Sequence, residues 1–346
     1  MMRVSVIVTV LNEEATIDRL LESLAGQSRP ADEIVVADGG STDRTPDILD
    51  EWSKSGWLPL TLVSMPGANI SAGRNAAIGA ATGDVIVSTD AGVCLECDWL
   101  AALLEPFTQP SVAVSQAKGG FVAVVSGWFV ADPCSLFETA LGATVLPHIR
   151  EVKPATFLPS SRSVAFRRVA WEAVGGYPEW LDFCEDLVFD LRLRELYGSF
   201  PFAPRAVAHF RPRTSLAAFA RQYYRYARGD GKAGLWYGRH AIRYLTYLVA
   251  APVLVALALL HSPWWWLVLL GGALAYTATP YRRLLPMLKL HSPLGWPLAV
   301  ILVPIIRVVG DVAKMLGFPA GLAWYWRNRH RPEIHWRRAG WERERA

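Results

Sequence analysis

A chain of 346 residues has room for one large domain and a second region, and its formal net charge of +4 is unevenly placed. Seven arginines against three glutamates between Arg327 and Ala346 account for all of it, which argues against nucleic-acid binding by the globular part. Four cysteines are too few for a disulfide framework, and Cys94-Leu-Glu-Cys97 is half of a zinc pattern with no second pair, so ordinary reduced cytosolic thiols are expected.

The segment from Arg3 to Val10 is short and runs directly into Asn12-Glu13-Glu14, so it reads as a first strand, Val4 to Leu11, rather than as an N-terminal signal. Ile17, Leu20, Leu21 and Leu24 then fall at i, i+3, i+4 and i+7, the spacing of a helix that Gly26 closes. Glu33 to Ala37 forms a second strand ending on Asp38-Gly39-Gly40, and Pro46 sits in the first turn of the next helix. Leu60 to Val63 is a third strand, the Ala-rich Ser71 to Ala81 a helix, and Val85-Ile-Val87 a β-branched run that stops on Asp90. The order βαβαβαβ predicts an α/β fold with a parallel, right-handed sheet covered on both faces.

Such sheets meet ligands at the C-terminal ends of their strands, where Asp38 and Asp90 stand. A hard carboxylate at Asp90 suits a divalent cation that bridges nucleotide phosphates; capping of the following loop is the alternative. Asp38, beside two glycines, suits a hydrogen bond from a base or ribose where the backbone must come close. Arg74 opens the helix before the fourth strand and can meet a diphosphate, the alternative being an exposed helix arginine. Further on, Glu185 and Asp186 start a helix that runs through Leu187, Leu191 and Leu193, a place where carboxylates also suit the helix dipole. A helix from about Ser215 to Arg228 lines up Leu216, Phe219, Tyr223 and Tyr226, a stripe that equally fits an interfacial helix on a bilayer.

The stretches VIVTVLNEEATI, EIVVADGGSTDRT and GRNAAIGAATGDVIVSTDAG, followed by Phe166-Arg-Arg168, Val174-Gly-Gly-Tyr177, Cys184-Glu-Asp186 and Gln222-Tyr-Tyr-Arg-Tyr226, resemble in order and spacing the family 2 glycosyltransferases, which have the GT-A fold. The resemblance covers about two thirds of the chain. It implies a GT-A-type, doubly covered, mainly parallel sheet and inverting transfer of a sugar from a nucleotide diphosphate donor to an acceptor hydroxyl. Asp38 matches the aspartate at the nucleoside, and Asp90 the first Asp of the DxD metal motif, whose second Asp is Gly92 here. In the alternative register Asp90 is the second Asp and Ser88 the first; either way one carboxylate of the pair remains to hold Mg²⁺ or Mn²⁺. His209 is a candidate additional ligand. On the acceptor side, Gly176 and Tyr177 lie in a permissive turn able to set an aromatic ring over a sugar. Asp186 matches the catalytic base, Glu185 orients the acceptor or that base, and Gln222 and Arg225 match the QxxRW residues at the diphosphate, with Tyr226 in place of Trp.

Leu245 to Leu260 and Trp264 to Thr279 are apolar runs with Trp264-Trp-Trp266 at one end and Arg282-Arg283 at the other, the pattern of a membrane hairpin with an aromatic belt. A third run, Leu294 to Val309, is interrupted by Pro297 and Pro304 and reads as tilted or re-entrant. The expected organisation is a catalytic domain over 1–234 (nucleotide-sugar part about 1–115, acceptor part about 116–234), an all-α membrane region over 235–326, and a basic tail over 327–346. The positive-inside rule sets the tail and the catalytic domain on the cytoplasmic side, near a lipid or lipid-linked acceptor. A processive polysaccharide synthase and a non-catalytic nucleotide-binding membrane scaffold are the competing readings.

Overall fold

The computed structural model describes residues 2–108, 121–289 and 292–337. The end of the expected basic tail, residues 338–346, and the expected division near residue 115 lie outside them. The chain forms two compact units, one of Met1–Val130, Ile149–Phe210 and His335–Ala346, the other of Ala131–His148 and Arg211–Ile334.

The first unit opens with β1 (Val4–Val10), α1 (Ile17–Ala25), β2 (Glu33–Asp38), α2 (Thr45–Ser55), β3 (Leu60–Ser64), α3 (Ile70–Ala80) and β4 (Val85–Asp90). These four strands are mutually parallel in the order β3-β2-β1-β4, as the alternation of strand and helix predicts. Successive residues sort to opposite faces: Val4, Val6 and Val8 pack with Leu20, Leu21 and Leu24, while Ile7, Val35 and Ile86 pack with Ala77 and Ile78. Burial on both faces is why β1, β2 and β4 carry β-branched runs, while β3, at the sheet edge, is partly exposed. The register pairs Val10 with Asp38 and Thr9 with Asp90, so the two carboxylates end strands that flank β1, roughly 10 Å apart across the sheet.

The second half of the sheet is built differently. It adds β5 (Val93–Leu95), β6 (Val124–Ala131), β7 (Val164–Arg167) and β8 (Phe202–Phe210), giving eight strands in the order β3-β2-β1-β4-β7-β6-β8-β5. β7 lies antiparallel to both β4 and β6, and β5 antiparallel to β8, so the sheet is mixed beyond its parallel first half. The helices α4 (Trp99–Thr108), α6 (Arg168–Ala173) and α7 (Glu185–Tyr197) complete this unit.

The second unit is helical: α5 (Leu136–Val145), α8 (Leu216–Ala233), α9 (Tyr237–Leu260, with a π-helical turn at Thr246–Ala250), α10 (Trp265–Leu288) and α11 (Trp296–Asn328). Besides Ala131–His148 it takes up the chain again at Arg211, earlier than the change of composition near Gly234, and α8 packs along α11. Glycine makes that approach close. A Cβ on Gly317 would overlap the Tyr224 carbonyl oxygen, one on Gly321 that of Arg228, and one on Gly231 that of Phe318. Gly317-Phe-Pro-Ala-Gly321 is thus a GxxxG contact read directly by a neighbouring backbone.

The prolines of the third apolar run do not divide it: α11 is continuous over 33 residues. Pro297 lies in its first turn, where no N–H is required, and the bond missing at Pro304 is one gap in a helix held along its length by neighbours. Among the described residues one helix, Tyr237–Leu260, is long and apolar enough to cross a membrane.

Gly321→Ala is expected to destabilise the chain by about 1–3 kcal/mol through overpacking. Gly271→Ala, on an open helix surface with nothing within 4 Å, is expected to stabilise it by up to about 1 kcal/mol. Thermal unfolding of the two variants in the same detergent checks the contrast.

Candidate functional site

The site begins at the end of β2. Asp38 Oδ1 accepts hydrogen bonds from Ser41 N (2.9 Å), Ser41 Oγ (2.7 Å) and Gly40 N (3.2 Å), which folds the Asp38–Ser41 loop back on itself. Gly40 adopts φ +96°, and a Cβ there would stand 3.1 Å from Pro66 Cα, so the loop needs glycine on both counts. Oδ2 takes no hydrogen bond from a described residue and remains available as an acceptor.

Across β1, Asp90 meets two guanidinium groups. Arg74 Nη2 donates to Oδ1 at 3.0 Å, and Arg162 Nε lies 3.4 Å from Oδ2. Arg74 is not an exposed helix arginine. It is 2% exposed, comes from the first turns of α3 (N-cap Asn69), and gives its other terminal nitrogen to Glu185 Oε1 at 2.6 Å. One buried cation therefore ties the end of β4 to the start of α7. Arg74 Nε has no partner among the described residues, and the guanidinium carbon stands 5.3 Å from the centre of the Tyr177 ring.

Glu185 and Asp186 sit in the first turn of α7, behind Cys184, whose left-handed backbone (φ 65°, ψ 18°) is costly for a residue other than glycine. That turn buries Glu185 and leaves Asp186 half-exposed, with Asp186 Oδ1 accepting from Leu187 N at 2.8 Å. Burial, and then the neighbouring Asp186, push the Glu185 carboxyl up to about 7 against the pull of Arg74. One turn on, Asp190 is 3% exposed, and burial first and Asp186 second hold its carboxyl well above the ordinary range. The N-terminal half of α7 thus presents one half-exposed carboxylate, Asp186, in front of two carboxyls whose ionisation is suppressed.

Gly176 and Tyr177 do not face a ligand. Tyr177 is 2% exposed and stacks on Phe189, with ring centroids 4.1 Å apart. The turn is fastened to α3 by Asn75: its Oδ1 accepts from Tyr177 N (2.9 Å) and Trp171 Nε1 (3.1 Å), and its Nδ2 donates to Tyr177 O (2.9 Å). A Cβ on Gly176 would come within 2.9 Å of that Oδ1, so its glycine serves the clamp. The expectation of a sugar-facing ring is corrected here: the positive φ of both glycines turns the tyrosine inward.

His209 Nε2 faces Glu96 Oε1 at 2.8 Å, and among the described residues no three His, Cys, Asp or Glu side chains converge as a cation cage requires. The expectation that His209 joins Asp90 at a metal is not met by this geometry. A Cβ built on Gly92 has only Glu13 Oε2 near it, at 3.9 Å, so room exists where the second motif carboxylate would stand. The donor set thus fits a cation only in the mode where one carboxylate, Asp90, shares it with substrate phosphates. A separate surface cavity, lined in part by Met2, Arg29, Asp98, Glu105 and Arg205, contains none of these groups.

Arg162 was missed by sequence reasoning. It is a lone arginine in a polar loop, held by its carbonyl to Thr89 Oγ1 (3.0 Å) and by its guanidinium over the Phe210 ring (4.6 Å), and neither contact leaves a pattern in the chain. Gln222 and Arg225 belong to α8 of the helical unit, where Gln222 Nε2 donates to Tyr226 Oη at 2.7 Å.

Residues 5–160 match the family described as Glycosyl transferase family 2, and residues 85–307 match Glycosyl transferase family group 2. The chain is 27% identical over 273 residues to the succinoglycan biosynthesis protein ExoA of Rhizobium meliloti, covering 77% of this chain and 81% of the relative. It is 28% identical over 221 residues to the pre-mycofactocin glycosyltransferase of Mycobacterium tuberculosis, covering 62% of this chain and 43% of that one. A mannosyltransferase of Pyrobaculum calidifontis, solved with GDP-Man and Mn²⁺, superposes with a TM-score of 0.60 at 24% identity, covering 91% of this chain and 87% of the other, and shows the shared fold. The second family match alone spans more than half of the chain: this protein belongs to the family 2 glycosyltransferases and is itself a glycosyltransferase of GT-A architecture.

Proposed function

We propose that the enzyme transfers a sugar, with inversion, from a nucleotide diphosphate donor to a hydroxyl of a lipid or lipid-linked saccharide at a membrane. The observation that carries this reading is the Arg74 bridge, which fixes Asp90 and Glu185 to one guanidinium and keeps Asp186 beside them. In the proposed reaction the acceptor oxygen forms a bond to the anomeric carbon as the bond from that carbon to the diphosphate oxygen breaks. Asp186 takes the hydroxyl proton, and the bonding pair leaves with the diphosphate. Asp38 Oδ2 accepts from the nucleoside, and Glu185 holds Arg74 and thereby the position of Asp186. A divalent cation, Mg²⁺ or Mn²⁺, would be held by Asp90 together with the donor phosphates and would offset charge on the leaving group. Gln222 and Arg225 keep, as part of this proposal, the diphosphate role that their motif implies.

The membrane part of the reading rests on the outer surface of the helical unit. Leu248 is 64% exposed, Leu260 88% and Trp264 75%, values that water disfavours over so long a stretch. Arg282 and Arg283 follow the apolar part of α10, and by the positive-inside rule they support a cytoplasmic side for the tail and the catalytic unit. Similarity over 122 residues, at 30% identity, to the beta-monoglucosyldiacylglycerol synthase of Synechocystis is in keeping with a lipid acceptor; it covers 34% of this chain and 25% of that relative.

Asp186→Asn is expected to bind donor nucleotide as the parent does and to lose about 10³-fold in kcat. Transfer at the parental rate would remove Asp186 from the mechanism. Gly92→Asp restores a second carboxylate in open space and is expected to lower the Mn²⁺ concentration needed for half-maximal donor binding about tenfold, read by calorimetric titration. Because the Glu185 carboxyl is raised in the folded state, the stability tied to its protonated form is present at low pH and lost as pH rises through about 7. The parent is therefore expected to lose melting temperature relative to Glu185→Gln between about pH 5 and pH 8.

A further inference from the structure

Arg74 and Arg162 meet the same carboxylate in different ways. Arg74 is buried and makes short contacts, 3.0 Å to Asp90 Oδ1 and 2.6 Å to Glu185 Oε1, so its charge is committed inside the unit. Arg162 Nε stands 3.4 Å from Asp90 Oδ2, with the two side chains 26% and 28% exposed. An ion pair of that length and exposure contributes little. The pairing of Asp90 is therefore carried by Arg74, and Arg162 is a second cation at the end of β4 that the carboxylate does not hold tightly.

Other contacts keep it there. The Arg162 carbonyl accepts from Thr89 Oγ1 at 3.0 Å, one residue before Asp90 on β4. Its Nη1 donates to Ser160 Oγ at 3.3 Å, and the guanidinium carbon lies 4.6 Å from the centre of the Phe210 ring. None of these ties involves Asp90, so the guanidinium stays at the end of the strand when that carboxylate turns to another partner. The motif beside it has changed in a matching way. Gly92 removes one of the two carboxylates that a cation would use, and Glu13 Oε2, the nearest atom to a Cβ built there at 3.9 Å, is already engaged by Thr16 Oγ1 at 2.5 Å. The end of β4 is thus poor in cation ligands and supplied with a positive charge of its own. A guanidinium presents a planar fork that matches two phosphate oxygens, and its hydrogen bonds to them are about twice as strong as neutral ones.

We propose that Arg162 binds the diphosphate of the nucleotide donor directly, turning its guanidinium from Asp90 Oδ2 to phosphate oxygens, so that donor binding keeps part of its strength without a divalent cation. The proposal rests on the reading of Asp90 as the diphosphate end of the donor site and adds to that site a residue that carries the compensating charge itself.

The test is calorimetric titration of the full chain in detergent with UDP and with GDP, each in EDTA and in Mn²⁺. The parent is expected to bind the preferred nucleotide in EDTA, and Arg162→Gln to weaken that binding about tenfold, the scale of one charge-assisted hydrogen bond. Arg162→Lys, which keeps the charge and loses the fork, is expected to fall between the two. In an Asp90→Asn background Arg162→Gln is expected to cost the same factor, because the contact is with the nucleotide. Parental affinity of Arg162→Gln in EDTA would overturn the role of the arginine and leave the donor reading standing. So would a loss that disappears in the Asp90→Asn background, which would mean that Arg162 acts only by positioning Asp90, and so would parental binding that requires Mn²⁺. Failure of the parent to bind either nucleotide under both conditions would overturn the donor reading together with this proposal.

Discussion

A guanidinium at 2% exposure, shared between carboxylates from two different elements, is the constraint around which the catalytic unit is arranged. Neither carboxylate would sit easily without it. Asp90 ends a buried strand, and Glu185 is buried at the head of a helix beside Asp186. Breaking one arm of such a buried pair leaves a charge without compensation, a loss of about 3–5 kcal/mol in comparable cases. The arrangement has a chemical outcome as well as a structural one: with Arg74 committed to Asp90 and Glu185, and burial raising the Asp190 carboxyl well above its ordinary range, Asp186 is the accessible carboxylate of the N-terminal half of α7. The base proposed for the reaction needs that kind of contrast with its neighbours.

Much of this was legible in the chain. Parallel strands buried on both faces announce themselves as β-branched runs, so β1, β2 and β4 and the carboxylates that end β2 and β4 could be placed from the sequence. The antiparallel half could not be, since β7 is four residues long and β5 three, too short for a periodicity to register. Tyr177 was misread for a related reason. A Gly-Gly pair signals a turn without saying which way the next side chain points, and here the deciding contact comes from Asn75, about a hundred positions earlier. Arg162 reaches Asp90 from a loop seventy-two residues downstream in sequence, a tertiary relation with no local trace. The prolines of the third apolar run interrupt its sequence pattern and leave its helix continuous, because chain-local rules weigh one lost hydrogen bond and omit the packing that holds a long helix on either side of it.

The helical unit follows a different physical logic from the sheet unit. Its closest helix pair meets backbone to backbone through Gly231, Gly317 and Gly321, where the sheet unit fills its interior with branched side chains. Packing by small residues is what remains effective when the surroundings of a helix are as apolar as its side chains, and the exposed leucines of α9 and α10, with Trp266, suit such surroundings. Polar groups in this unit are drawn together around Asp311, which takes up two tyrosine hydroxyls and one guanidinium.

The Asn75 clamp has a dynamic consequence. Asn75 is the residue after Arg74, and the turn it grips leads within eight residues to Glu185, so the cation and the carboxylate of the bridge are each fastened close to a second, independent tie. Two ties in parallel behave as a hinge pin does: swinging α7 away from α3 would require both to part at once. Loop motion that admits substrates must then come from segments outside this pair, and α3 with the head of α7 travels as one rigid jaw.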